Sequence, residues 1–226
     1  MRGVKYMIDA NSTTENFTRR ALWAQIDLDA AAHNMRVIRK HVGPDVRIAA
    51  VVKANAYGHG AVELARVFAE NGADCFAVSS LDEGVELRRY AGITKDIFIL
   101  GHTDGRRTEE LLAYHIEPAV FNLKNAEYYS EEASRLGQTL QVHIAIDTGM
   151  SRVGFLPSEE TIGAIKKIAR LPRIEIRGIF THFATADEKD KTFTHEQFKR
   201  FMWVCTRLEN EGVHIPIRHC CNSAAT

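Results

Sequence analysis

The chain has 226 residues, with 29 Lys and Arg against 29 Asp and Glu, a formal net charge of zero, 45% hydrophobic and 26% charged residues. That length allows one large domain or two small ones, and the composition is that of a soluble globular protein. The charge balance argues against an extended basic surface for nucleic acid or anionic membrane; no apolar run approaches the roughly 20 residues that span a bilayer.

Residues 1–20 are polar, with Asn11-Ser12-Thr13-Thr14 in the middle and no apolar core of the signal-peptide kind. They are expected to form a flexible leader. From Trp23 to Asp29 apolar and polar residues alternate, as in a half-buried strand. A helix is expected over 30–41, with Met35 and Ile38 at helical spacing, and Gly43-Pro44-Asp45 breaks it. One theme then repeats: short apolar runs at 48–52, 75–78, 97–100, 118–121, 142–146, 174–180 and 217–221, separated by amphipathic stretches. Many runs are rich in Val and Ile and do not alternate, which suits strands buried on both faces. The spacing from Thr194 to Gln197 is that of a capping box, and Phe198, Phe201, Cys205 and Leu208 are expected along one helix face. Gly92, Gly137 and Gly212 read as helix stops. Cys75, Cys205, Cys220 and Cys221 fit no zinc spacing, so no metal is expected, and reduced thiols point to a cytoplasmic protein.

Strands alternating with helices imply a parallel sheet. An open doubly wound sheet and a closed eight-stranded barrel compete; the spacing suits the barrel, which gathers every strand C-terminus round one mouth. Chemically suggestive residues follow the apolar runs: Lys53, the 147–152 stretch, Thr181-His182 and Asn222-Ser223.

Lys53 ends the 48–52 run, just before a turn-like stretch closed by two glycines. A buried ammonium is costly unless paired, and the same cost frees the amine as a nucleophile, for instance toward an aldehyde cofactor. A strand-capping lysine that snorkels to water is the plainer alternative. The decapeptide Val51-Val52-Lys53-Ala54-Asn55-Ala56-Tyr57-Gly58-His59-Gly60 resembles the pyridoxal-phosphate signature of the alanine racemases. Ile146-Asp147-Thr148-Gly149-Met150-Ser151-Arg152, Thr181-His182-Phe183-Ala184 and His219-Cys220-Cys221-Asn222-Ser223 are similar to further segments of that family, so the resemblance runs from Trp23 to the last residue.

The resemblance implies a TIM-type (β/α)8 barrel over 21–226 that binds pyridoxal 5'-phosphate. Lys53 would carry the cofactor as an internal aldimine and act as a catalytic base. Tyr57 and Ser223 would bind its phosphate with Asn222 alongside. Arg152 would lie near the phenolic oxygen and the substrate carboxylate, and His182 against the pyridine ring. The implied reaction interconverts L- and D-alanine, supplying D-alanine for peptidoglycan, in a homodimer when full length. Serine racemisation, or a cofactor-binding barrel without racemase activity, are the alternatives. Two departures stand out. Ala145 occupies the position of a lysine that orients the arginine in many members. The chain also stops at Thr226, so the last barrel strand, a pyridine-binding arginine and a β-rich domain with the second base are expected to be missing. On that expectation a seven-stranded wall would leave two unpaired edges, unless the Trp23 strand closes it.

Overall fold

A computed structural model describes the backbone of Tyr6–Met7 and residues 24–226. The leader expected over 1–20 lies outside the described residues apart from those two, as does Trp23. The described residues form two compact units, one ending at Ile97 and one running from Phe98 to Thr226.

In the first unit Tyr6–Met7 (β1) pairs antiparallel with Gln25–Ile26 (β2) in a two-stranded sheet of its own. The stretch expected as a longer strand is thus cut short and joins no parallel sheet. The reason is local: Asp27 caps a helix, its side chain accepting from the Ala30 N–H at 3.0 Å, and Leu28–Val42 (α1) follows at once. Such a cap satisfies one of the four N–H groups that a helix start leaves open. Ala49–Val51 (β3) runs parallel to Cys75–Val78 (β4), with Ala50 opposite Phe76. Ala61–Glu70 (α2) connects them and buries Ala61, Leu64 and Ala65. All four residues of β4 are buried, as both faces of a covered parallel strand must be. Leu81–Glu86 (α3) is capped by Ser80 and widens into a π turn over Leu87–Ala91, which Gly92 ends in a left-handed conformation. Asp96–Ile99 (β5) lies beside β4 and crosses the boundary of the units.

The second unit continues with Thr108–Ala113 (α4), Ile116–Glu117 (β6), Ala119–Val120 (β7), Leu123–Arg135 (α5), Leu140–Ala145 (β8), Glu159–Ile168 (α6), Ile174–Phe180 (β9), Thr192–Asn210 (α7) and Ile217–His219 (β10). Four strands form a parallel sheet in the order β10-β9-β8-β7. Ala145 stands opposite Phe180, and Phe180 opposite His219. The segments leaving β8, β9 and β10 therefore emerge along one sheet edge. Tyr129, Ile165 and Phe201 close the helical side of the core and are buried.

Two expectations for α7 need correction. The helix begins at Thr192, whose N–H donates to Asp190 Oδ1 at 2.9 Å, so Thr194 lies inside the first turn and caps nothing. The buried stripe runs through Gln197, Phe201, Val204, Cys205 and Leu208, while Phe198 is 43% exposed. The stripe passes through the polar Gln197 because the neighbouring loops need its amide. Among the described residues, no helix is long and apolar enough to cross a membrane.

Candidate active site

In the first unit, Lys53 opens a single helical turn, Lys53–Gly58, directly after β3. Its inner residues Ala54, Asn55, Ala56 and Tyr57 all have φ between 50 and 56°. In that left-handed form an L-residue's Cβ crowds the following carbonyl oxygen, at about 1–2 kcal/mol per residue. Four in succession therefore store roughly 4–8 kcal/mol. The surroundings hold the turn in place. The Ala54 N–H donates to Glu83 Oε1 at 2.7 Å, and Glu83 Oε2 accepts from the Ser79 N–H at 2.7 Å. Asn55 Oδ1 accepts from the Ala61 N–H at 2.8 Å and so caps α2. Ala56 is buried, 5% exposed. Strain of this kind persists where neighbours over-determine it, and such places cluster at functional sites. The turn leaves Lys53 half-buried and Tyr57 60% exposed, with Lys53 Nζ 5.9 Å from the Tyr57 ring centroid. This corrects the expectation of an enclosed ammonium: the strained turn, rather than full burial, distinguishes the lysine.

In the second unit, three loops leave the same sheet edge. In the loop after β8, the carboxylate of Asp147, 8% exposed, accepts from the N–H groups of Gly149 and Ser151 through Oδ1 and of Arg152 through Oδ2, at 2.9–3.0 Å. That acid shapes the loop that presents the exposed Arg152. Gly154 permits the return, because a Cβ there would stand 2.4 Å from the Asp147 nitrogen. Ala145 packs with Ala119 and Phe180 in an apolar cluster, so the backbone of Arg152 is fixed by Asp147 with no help from that position. A cleft of about 360 Å³ adjoins this loop, lined by Asp147, Thr148, Gly149, Ser151, Leu156, Pro157 and Arg200.

Gln197 ties the loop after β8 to the loop after β9. It is fully buried; its Nε2 donates to Thr148 Oγ1 at 3.2 Å and to the His182 carbonyl at 3.1 Å, and its Oε1 accepts from the Ala184 N–H at 2.9 Å. The Thr148 and Thr181 hydroxyls lie 2.7 Å apart, and Arg200 donates to the Thr148 carbonyl at 2.9 Å. Asn222 Nδ2 reaches the Phe183 carbonyl at 3.5 Å, which links the loop after β10. The side chains of Arg152, His182 and Ser223 are exposed on these three loops. As a set they offer a guanidinium, an imidazole and a hydroxyl, suited to an anionic ligand.

Local spacing offers Gln197 as half of a capping box and gives no sign of this role. A largely buried polar chain is equally unannounced. Glu117 Oε2 lies 2.5 Å from His143 Nε2, and His143 Nδ1 lies 2.9 Å from His219 Nε2. His143 stacks on Phe98 and His219 on Phe180, both with ring centroids 4.9 Å apart. Gly178 makes room for the chain, since a Cβ there would meet His143 Nδ1 at 2.3 Å. The available signal was a histidine in the middle of the apolar run 142–146.

Residues 26–226 match the family model described as alanine racemase, N-terminal domain. The alanine racemase of Clostridium tetani is 50% identical over 206 residues, covering 91% of this chain and 53% of that protein. Among solved structures, an alanine racemase from Clostridium difficile 630 matches with a TM-score of 0.85 at 40% identity, covering 88% of this chain and 54% of that one. Its complex with cycloserine matches at 0.80 and 39% identity, covering 88% and 52%. The chain spans about half the length of the curated relatives it matches.

Proposed function

We propose, from the premise that this chain belongs to the alanine racemase N-terminal domain family, that it takes part in interconverting L- and D-alanine with pyridoxal 5'-phosphate. The residues present fit that cofactor. Lys53 offers an amine for the aldehyde and Tyr57 a phenol for the phosphate; Ser223, Asn222, His182 and Arg152 offer a hydroxyl, an amide, an imidazole and a guanidinium, largely solvent-facing. When bound, the cofactor supplies an electron sink for the Cα–H bond.

In this reading Lys53 anchors the cofactor and holds or delivers a proton at Nζ on one face of the substrate Cα. The strained turn fixes that amine, so little ordering remains to be done during reaction. Tyr57, Ser223 and Asn222 hold the phosphate, and His182 orients the ring. Arg152 grips the substrate carboxylate with its two-pronged guanidinium. Residues 21–226 act as one cofactor-binding barrel domain, in a cytoplasmic protein that pairs as a homodimer and feeds D-alanine to peptidoglycan. The names of the relatives support alanine over serine as substrate.

The observation that carries this reading is the left-handed turn that begins at Lys53. The test is polarimetry on L-alanine and L-serine with cofactor-loaded protein, beside Lys53→Ala. Loss of one positioned acid–base group should lower alanine turnover about 10²–10⁴-fold. Alanine turnover that survives Lys53→Ala undiminished refutes the assignment.

A further inference from the structure

Cys220 and Cys221 follow β10 directly and precede Asn222-Ser223. Neither is in a disulfide; Cys220 is half-buried and Cys221 exposed, while Cys75 and Cys205 are buried. The Cys220 and Cys221 sulfurs lie 4.0 Å apart. Two metal–sulfur bonds of about 2.3 Å span about 3.8 Å at the tetrahedral angle of zinc, and the lone pair of a trivalent, pyramidal centre narrows that angle, so the sulfurs close by a further few tenths of an ångström. The pair therefore already stands close to the bite of a single thiophilic atom. Among the described residues, no group of three or more His, Cys, Asp or Glu is placed to hold a metal ion. Two sulfurs alone suit a soft centre that brings its own third substituent, which an aryl-bearing trivalent arsenic does.

We propose that Cys220 and Cys221 form a two-sulfur site for trivalent arsenicals, and that filling it weakens binding of the cofactor phosphate at Ser223. The capture step balances without an oxidant. A phenylarsonous group, C6H5–As(OH)2, forms two As–S bonds as two As–O bonds break. The two thiol protons leave with the hydroxides as two waters, and arsenic stays trivalent. Burial, with Cys221 alongside, pushes the Cys220 thiol up to about 12. The thiolate is the attacking species for alkylating agents and disulfides, so those reagents modify Cys220 slowly, while condensation with arsenic favours the neighbouring pair. The second half of the proposal rests on the reading of Ser223 as a phosphate ligand. Its structural basis is proximity: the turn begins at the next residue, and Asn222 is tied to the Phe183 carbonyl only by a long 3.5 Å contact.

The experiment treats the purified protein with one equivalent of phenylarsine oxide and reads intact mass, thiol titre in denaturant and binding of pyridoxal phosphate. The expected result is one phenylarsenic per chain and loss of two of the four thiols. Cys220→Ser and the milder, exposed Cys221→Ser should each weaken retention against a competing monothiol by roughly 10²-fold, the gain that linking two binding groups gives. An absent adduct, or one held equally well by both single variants, overturns the site. Cofactor binding should fall in the arsenic-loaded protein and return when a small dithiol strips the arsenic. Unchanged cofactor binding in the adduct refutes the coupling while capture stands. Should the untreated protein bind no cofactor, the reading of Ser223 fails and the coupling with it; capture is judged separately, from mass.

Discussion

Gln197 spends its entire side-chain amide on two loops: Nε2 reaches Thr148 and the His182 carbonyl, and Oε1 takes the Ala184 N–H. Gln197→Leu keeps much of the volume but strands a part-buried carbonyl and a part-buried N–H, at up to about 1–3 kcal/mol for each group left unsatisfied. A lowered urea midpoint with an unchanged slope is the expected outcome. At Arg152 the expected effect is kinetic. Arg152→Ala should raise the alanine KM roughly 10–100-fold, from a charged hydrogen bond worth about 1.5–3 kcal/mol; Arg152→Lys should recover only part, because an ammonium lacks the planar fork. Lys53, Tyr57, Arg152, His182 and Ser223 could be nominated from the sequence because each sits inside a continuous recognisable stretch. Gln197 was not: its partners lie 13 to 49 positions away, and the nearby Thr194 offered a local rule that fitted the spacing but lost to those distant contacts. Glu117, His143 and His219 were hidden for the same reason, being joined only across strands.

The Lys53–Gly58 turn shows what a sequence pattern leaves out. Two glycines and Asn55 announce a turn, but nothing in four consecutive non-glycine residues announces a left-handed one. Tertiary contacts to Glu83 and the capping of α2 by Asn55 impose it. Asn55→Ala should therefore cost about 1 kcal/mol through the lost cap. At the exposed Ala54, glycine relieves about 1–2 kcal/mol of left-handed strain and gives back roughly 0.5–1 in chain entropy, so Ala54→Gly should be neutral to mildly stabilising. Both are read from thermal melts; a clear destabilisation by Ala54→Gly would mean the turn is less strained than its dihedrals imply. The parallel strands were legible at this scale, because uninterrupted Val and Ile runs have few other uses. Element edges were less so. The stretch 23–29 alternates like a strand, yet Asp27 is a better helix cap than a strand residue and wins.

Across the second unit, several buried acids tie stability to alkaline pH. Tyr129 donates from its hydroxyl to the Thr103 carbonyl at 2.7 Å, and burial raises it to about 12. Burial likewise raises Cys205 to about 11. The folded state holds these protons longer than the unfolded chain does. Their stabilisation is thus complete below the ordinary values of 10.0 for tyrosine and 9.0 for cysteine, and is lost as pH climbs through 9 to about 12. Urea midpoints should fall over that window, and Tyr129→Phe should flatten its upper part while lowering the neutral-pH midpoint. The strand–helix alternation expected of a barrel is present in each unit, in a chain that belongs to the alanine racemase N-terminal domain family. The central claim is that Lys53, set by its strained turn, is the residue that holds the cofactor. Borohydride reduction of protein loaded with pyridoxal phosphate, followed by peptide mapping, tests it most directly. The account predicts a single stoichiometric label on Lys53 that Lys53→Ala removes; a label on another lysine, or one that survives Lys53→Ala, would contradict it.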